Sequence, residues 1–167
     1  MRPSRDFERE IIPMTISEGM GIVPWGVLGG GSFKTEEQHA RQVEEGQGRG
    51  LEPQSESLKA VVRVLNGIAK RKGTLLTSVA LAYVMGKTPY VFPIVGGRKV
   101  EHLKANIEAL GLRLSQEDVD EIERVGDFDL GFPGNMIGTW SGGSWLNDIG
   151  GLCDYLEGQK AIAPRSE

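Results

Sequence analysis

The sequence predicts an α/β fold built on parallel strands, and three observations predict it. Helical apolar spacing alternates with two short apolar runs, 21–25 and 91–95, whose length and β-branched content suit buried strands. The stretch between them is long enough for a crossover, which parallel pairing requires. The 24 glycines in 167 residues, about twice the usual share, fall largely where a helix or strand pattern stops. Two parallel strands can neither close a barrel nor cover both faces of a sheet, so the pattern reads as a slice of a larger fold.

From Asp6 to Glu18, Phe7, Ile11, Met14 and Ile16 give an imperfect helix, with Pro13 near the first turn and Gly19 as the stop. The run Gly21-Ile-Val-Pro-Trp25 then delivers Trp25 and Gly26 to the loop Gly29-Gly30-Gly31. Thr35 with Gln38 makes a capping box for a polar helix ending at Glu44 or Glu45, and 46–54 is a loop rich in Gly, Gln and Glu, read as mobile. Ser55 caps the strongest helix, in which Leu58, Val61, Val62, Leu65, Ile68 and Ala69 share a face, Lys70, Arg71 and Lys72 crowd the negative end, and Gly73 stops it.

Thr77 or Ser78 is expected to start a second helix, Val79 to Met85, apolar nearly all round and therefore buried, which Gly86 closes. After the second strand, Gly96-Gly97-Arg98-Lys99 leads into a helix over 100–110 with Leu103, Ile107 and Leu110 inward. Ser115 with Asp118 caps another, whose apolar face is Val119, Ile122 and Val125. From Gly126 onward periodicity fades into a tail with Trp140, Trp145, Tyr155 and the pair Gly142-Gly143.

Composition narrows the function. Hydrophobic residues at 39% and charged residues at 25% describe a globular chain. The net charge of −4 and scattered basic residues leave no footprint for nucleic acid or anionic lipid. Cys153 is the single cysteine, which excludes an internal disulfide and a cysteine metal cage; no metal site is expected. With no apolar run near the roughly 20 residues of a membrane span, a cytoplasmic setting is expected.

Both glycine clusters follow the strands, at the end where parallel α/β folds bind ligands. In the second, glycines let an anion approach the backbone, the helix N-terminus offers unpaired N–H groups, and Arg98 and Lys99 add charge. The same residues equally suit a sharp strand-to-helix turn with two solvated cations. Trp25 could stack on a flat heteroaromatic ring, or it is simply core. His39 and His102, the only histidines, have no nucleophile or carboxylate partner at motif spacing, and Tyr83 reads as core.

Three stretches carry a family resemblance: Phe7-Glu-Arg-Glu-Ile-Ile-Pro-Met14, Glu18-Gly-Met-Gly-Ile-Val-Pro-Trp-Gly-Val-Leu-Gly-Gly-Gly31 and 91–110. Together they closely resemble the aldo-keto reductases, nearest to the fungal aryl-alcohol dehydrogenase and norsolorinic acid reductase branch. Phe128-Asp-Leu-Gly-Phe-Pro133 and Gln159-Lys-Ala-Ile162 are similar to that branch's C-terminal extension.

The resemblance implies the C-terminal part of a (β/α)8 TIM barrel, incomplete, with two to three parallel strands plus helices over 1–126 and an irregular glycine-rich extension over 127–167. It implies NADP as cofactor and reduction of an aldehyde or ketone, an aryl or polyketide-type carbonyl of fungal secondary metabolism. By position, Trp25 would stack on the nicotinamide and Gly26, Leu28 and Gly30 would follow the pyrophosphate. Gly96, Gly97, Arg98, Lys99 and His102 would hold the adenosine 2′-phosphate, and Asn106 would contact adenine. Ala105 departs from the glutamate common beside that asparagine. None of this chain's tyrosines, lysines or histidines matches the family's catalytic Asp, Tyr, Lys and His, which the resemblance places before its first residue. The alternative is a catalytically inactive chain that binds NADP(H) or a partner.

Overall fold

Helix α4, Glu56–Lys72, is the spine of the structure, a computed structural model that describes residues 5–46, 53–126, 128–138, 149–151 and 159–164. It begins where Ser55 Oγ accepts the Leu58 N–H at 3.3 Å and ends at Gly73, whose φ of 64° gives the left-handed cap. Its apolar face buries Leu58, Val62, Leu65, Ile68 and Ala69. Opposite lies α5, Leu76–Met85, buried over Leu76 and Ser78 to Ala82 as its all-round apolarity predicts. It starts earlier than Thr77 or Ser78, with Leu75 as an N-cap that makes no side-chain bond. Burial of Leu76 in the α4 interface fixes that start instead of a hydroxyl cap.

The capping boxes at Thr35/Gln38 and Ser115/Asp118 form as read, opening α3, Glu36–Glu45, and α7, Gln116–Glu123. Helix α7 adds Ile122 to the core. The helix expected over 6–18 is two: α1, Asp6–Arg9, and α2, Ile11–Ser17, with Glu10 between them at φ −131°. Pro13 is the cause. It has no N–H for the Arg9 carbonyl and its ring crowds that oxygen, so the first helix stops there. The second resumes with the Met14 N–H bonding the Glu10 carbonyl at 3.0 Å.

The two predicted strands run side by side in parallel but pair only at isolated bridges, Ile22 with Val91 and Trp25 with Ile94. Ile22 donates to the Tyr90 carbonyl at 2.9 Å, Phe92 donates back to Ile22 at 2.8 Å, and Ile94 donates to Pro24 at 2.8 Å. The rung between these would need an N–H from Pro24, which has none, so the ladder is interrupted.

Helix α6, Val100–Glu108, continues as a 3-10 turn through Gly111 and corrects a second expectation. Leu103, Ile107 and Leu110 are each 57% exposed rather than inward. The helix packs on α5 through its opposite side, where Ala109 is buried and Ser78 Oγ donates to the Ala105 carbonyl at 3.5 Å. Small side chains there let the backbones approach and turn the leucine stripe away.

In the tail, α8 covers Gly134–Ile137, and Arg5 stacks 4.7 Å above the Phe128 ring. Trp140, Gly142, Gly143, Trp145, Cys153 and Tyr155, and positions 47–52 of the glycine-rich loop, lie outside the described residues. Among the described residues no helix is long and apolar enough to cross a membrane.

Candidate functional site

The parallel bridge between Trp25 and Ile94 brings the two glycine turns to the same end of the paired segments. Trp25 is 79% exposed there, so among the described residues nothing buries it as core. Gly26 and Leu28 follow, and Gly30, at φ 61°, reverses the chain inside a 3-10 turn, a conformation L side chains resist. Gln54 anchors the far end of this loop, donating to the Ser32 and Lys34 carbonyls at 2.9 and 3.1 Å.

The second turn is exposed throughout Gly96, Gly97, Arg98 and Lys99. Gly97 serves close approach: a Cβ there would lie 2.8 Å from the Cβ of His102. The imidazole therefore sits against the turn, and Asn106 lies one helical turn beyond it on the same side of α6. Lys99 is the N-cap of α6 and makes no side-chain cap bond, whereas α3, α4 and α7 are closed by Thr35, Ser55 and Ser115. The first-turn N–H groups and the positive dipole end thus face a turn carrying two cations.

Lys34 is the residue that sequence reasoning passed over. Desolvation, reinforced by the nearby positive charge of Arg98, pulls its ammonium below the ordinary lysine range. It also donates to Gln42 Oε1. The first loop therefore contributes a cation to the Arg98 neighbourhood. No local signal marks Lys34 in the sequence, because its neighbour is supplied by the tertiary fold.

A second polar cluster lies away from these turns. Lys87 bonds Glu8 Oε2 at 3.0 Å and pairs with Glu123, and Arg5 reaches Glu8 at 2.7 Å and Glu123 at 3.0 Å. Tyr83 joins through Glu123 at 3.5 Å, with the Lys87 ammonium 4.8 Å from its ring centroid. Burial pushes the Tyr83 phenol upward, against the pull of Lys87, the wrong direction for a proton donor near neutrality. Burial also opposes ionisation of Glu8, but hydrogen bonds from Arg5 and Lys87 outweigh it and hold the carboxyl below its ordinary range. The cluster clamps α1 to α5 and α7, and it lines a cleft of about 310 Å³ beside residues 22–25.

The sequence pattern described as the Aldo/keto reductase family matches residues 1–127. Norsolorinic acid reductase A of Aspergillus parasiticus is 54% identical over 133 residues, 80% of this chain and 33% of that protein. An aryl-alcohol dehydrogenase [NADP(+)] of Phanerodontia chrysosporium is 42% identical over 168 residues, 96% of this chain and 44% of that protein. Among solved structures, a thermostable aldo-keto reductase, Tm1743, in complex with the inhibitor epalrestat superposes with a TM-score of 0.53 at 26% identity, over 74% of this chain and 36% of that one. The chain therefore spans between a third and a half of the length of these relatives.

Proposed function

Because the chain belongs to the aldo/keto reductase family, we propose that it supplies the NADP(H)-binding portion of a carbonyl-reducing TIM barrel. The observation that carries this reading is the Trp25–Ile94 bridge, which sets the exposed indole and the cationic Gly96–Lys99 turn at one end of the paired segments. Trp25 would stack on the nicotinamide, and Gly26, Leu28 and Gly30 would let the pyrophosphate run along the backbone. Arg98 and Lys99, with Gly96, Gly97 and His102, would hold the 2′-phosphate on the open end of α6, while Asn106 would meet the adenine. When bound, the cofactor supplies hydride to an aldehyde or ketone of aryl or polyketide type. In this reading 1–126 is the barrel portion and 127–167 an extension.

Charge-assisted bonds to phosphate set the size of the test, since each contributes about 1.5–3 kcal/mol and about 1.4 kcal/mol is tenfold in affinity. Arg98→Ala with Lys99→Ala is expected to weaken NADPH binding by tens-fold in calorimetry and NADH binding by less than about threefold. Equal loss for both cofactors would show that the turn does not read the 2′-phosphate.

A second reading rests on Tyr83, whose burial-raised phenol is tied to Glu123 and Lys87. In it the chain by itself holds NADP(H) without transferring hydride. Turnover of an aromatic aldehyde with NADPH that disappears in the same double variant would overturn it.

A further inference from the structure

The first glycine turn is costly to hold in one shape. Gly26, Gly29, Gly30 and Gly31 all have positive φ, from 61° to 91°, and glycine gives up more backbone freedom on ordering than any other residue. The bonds inside the turn join only its own backbone groups. Gly29 donates to the Gly26 carbonyl at 2.8 Å, Gly31 to Leu28 at 3.3 Å, Ser32 to Gly29 at 3.1 Å and Lys34 to Ser32 at 2.9 Å. Such bonds close the turn but tie it to nothing rigid.

Two side chains supply the tie. Phe33 packs on the helical core, and its ring covers Gly29, where a Cβ would lie 3.2 Å from Phe33 Cδ1. On either side of Phe33, the Ser32 and Lys34 carbonyls accept from Gln54 Nε2 at 2.9 and 3.1 Å, which uses both hydrogens of that amide. Gln54 directly precedes Ser55, the N-cap of α4. The turn is therefore indexed to the start of the spine helix by a residue about 20 positions away that makes no part of the turn itself.

We propose that Gln54 is a positioning residue for the cofactor, holding the Gly29–Gly31 turn in one shape before a diphosphate arrives along it. The inference rests on the cofactor reading and adds to it a residue that touches no ligand. A ligand's affinity falls with the fraction of molecules in which its site is formed, so releasing the turn weakens binding without removing any contact to the ligand. Gln54→Glu is the sharpest probe, because it keeps the side chain's size while turning the double donor into an acceptor that faces two carbonyls.

Amide hydrogen exchange and NADPH calorimetry on the full chain test the proposal together. Without cofactor, the parent's Gly29, Gly31, Ser32 and Lys34 amides are expected to exchange more slowly than unstructured chain. In Gln54→Glu and Gln54→Ala they are expected to approach the unstructured rate, and NADPH affinity to fall about three- to tenfold, with the far-UV spectrum and urea midpoint unchanged. A parent that binds NADPH while both variants bind it equally well overturns the inference alone, as does weaker binding with the turn's exchange unchanged. A parent that does not bind NADPH overturns the cofactor reading and this inference with it. Should both variants unfold, the parent still decides: amides of the turn that exchange at the unstructured rate before NADPH is added show that nothing holds the turn in advance, and overturn the inference.

Discussion

Ile68 on α4 and Ile94 on the second extended segment are the same side chain in opposite circumstances, 0% and 59% exposed. Ile68 sits among Leu65, Leu76, Val79 and Ile122, all supplied by α4, α5 and α7. Ile94 shares its face with Trp25, Phe92 and Val23, and none of the described elements covers them. The helical layer therefore satisfies its hydrophobic pattern within the chain, while the segment face presents its pattern to whatever lies opposite. Ligand contacts in an α/β fold form at the ends of such segments, so the exposed region is also the one read here as functional.

The contrast is tested most strongly by shaving each isoleucine. Ile68→Ala removes buried methylenes and leaves a cavity, and is expected to cost about 3–4 kcal/mol in urea denaturation at low protein concentration. Ile94→Ala is expected to cost less than about 0.5 kcal/mol, because its side chain is largely solvated in both states. Comparable losses would mean that the segment face is covered in the single folded chain, and the comparison would collapse.

The helical layer was also the more legible region. Thr35, Ser55 and Ser115 cap from within three residues, and Gly73 stops α4 through its own backbone, so short-range chemistry decides these boundaries. Where the sequence reading missed, the deciding partner was elsewhere. Leu103 and Ile107 have a helical stripe's spacing, but Ala105 and Ala109 won the contact with α5 because closer approach was available there. Leu76 joined the core and pulled the start of α5 ahead of Thr77. Pro24 cut a ladder whose length and composition read as strand. The glycine turns and the Arg98-Lys99 pair were legible as a unit, but the approach of Lys34 to Arg98 depends on the bridge between segments distant in sequence.

A subtler break in the helical layer is electrostatic. Asp118 is buried, which opposes its ionisation, yet Lys72 Nζ at 2.8 Å, the Ser115 N–H at 3.0 Å and Arg71 at 3.2 Å more than compensate. They hold the carboxyl down at about 2, against an ordinary 3.8. A carboxyl depressed on folding stabilises the fold above its unfolded value and loses that contribution as pH falls toward its folded one. Stability is therefore expected to drop between about pH 4 and pH 2, a window set by these two values. Asp118→Asn should flatten that slope and cost about 1–2 kcal/mol at neutral pH, through the cap and the stranded cations. An unchanged acid limb in the variant would place the acid sensitivity in the clamp around Glu8 instead.

The smallest effect probes the exposed region at two adjacent glycines. A methyl group on Gly96 meets nothing within 4 Å, whereas one on Gly97 meets His102 Cβ at 2.8 Å and its Nδ1 at 3.4 Å. The contact is with the base of the imidazole rather than a flexible tip, so the turn or the start of α6 must shift. That shift moves the backbone amides and Arg98 relative to one another without touching either charge. Gly97→Ala is therefore expected to weaken NADPH binding about three- to tenfold, and Gly96→Ala less than about twofold. Neither should change urea stability by more than about 0.5 kcal/mol, because the turn is solvated and lies outside the α4–α5–α7 core. Equal effects at the two positions would separate His102 from the proposed role of the Gly96–Lys99 turn, leaving Arg98 and Lys99 to act without a fixed backbone beneath them.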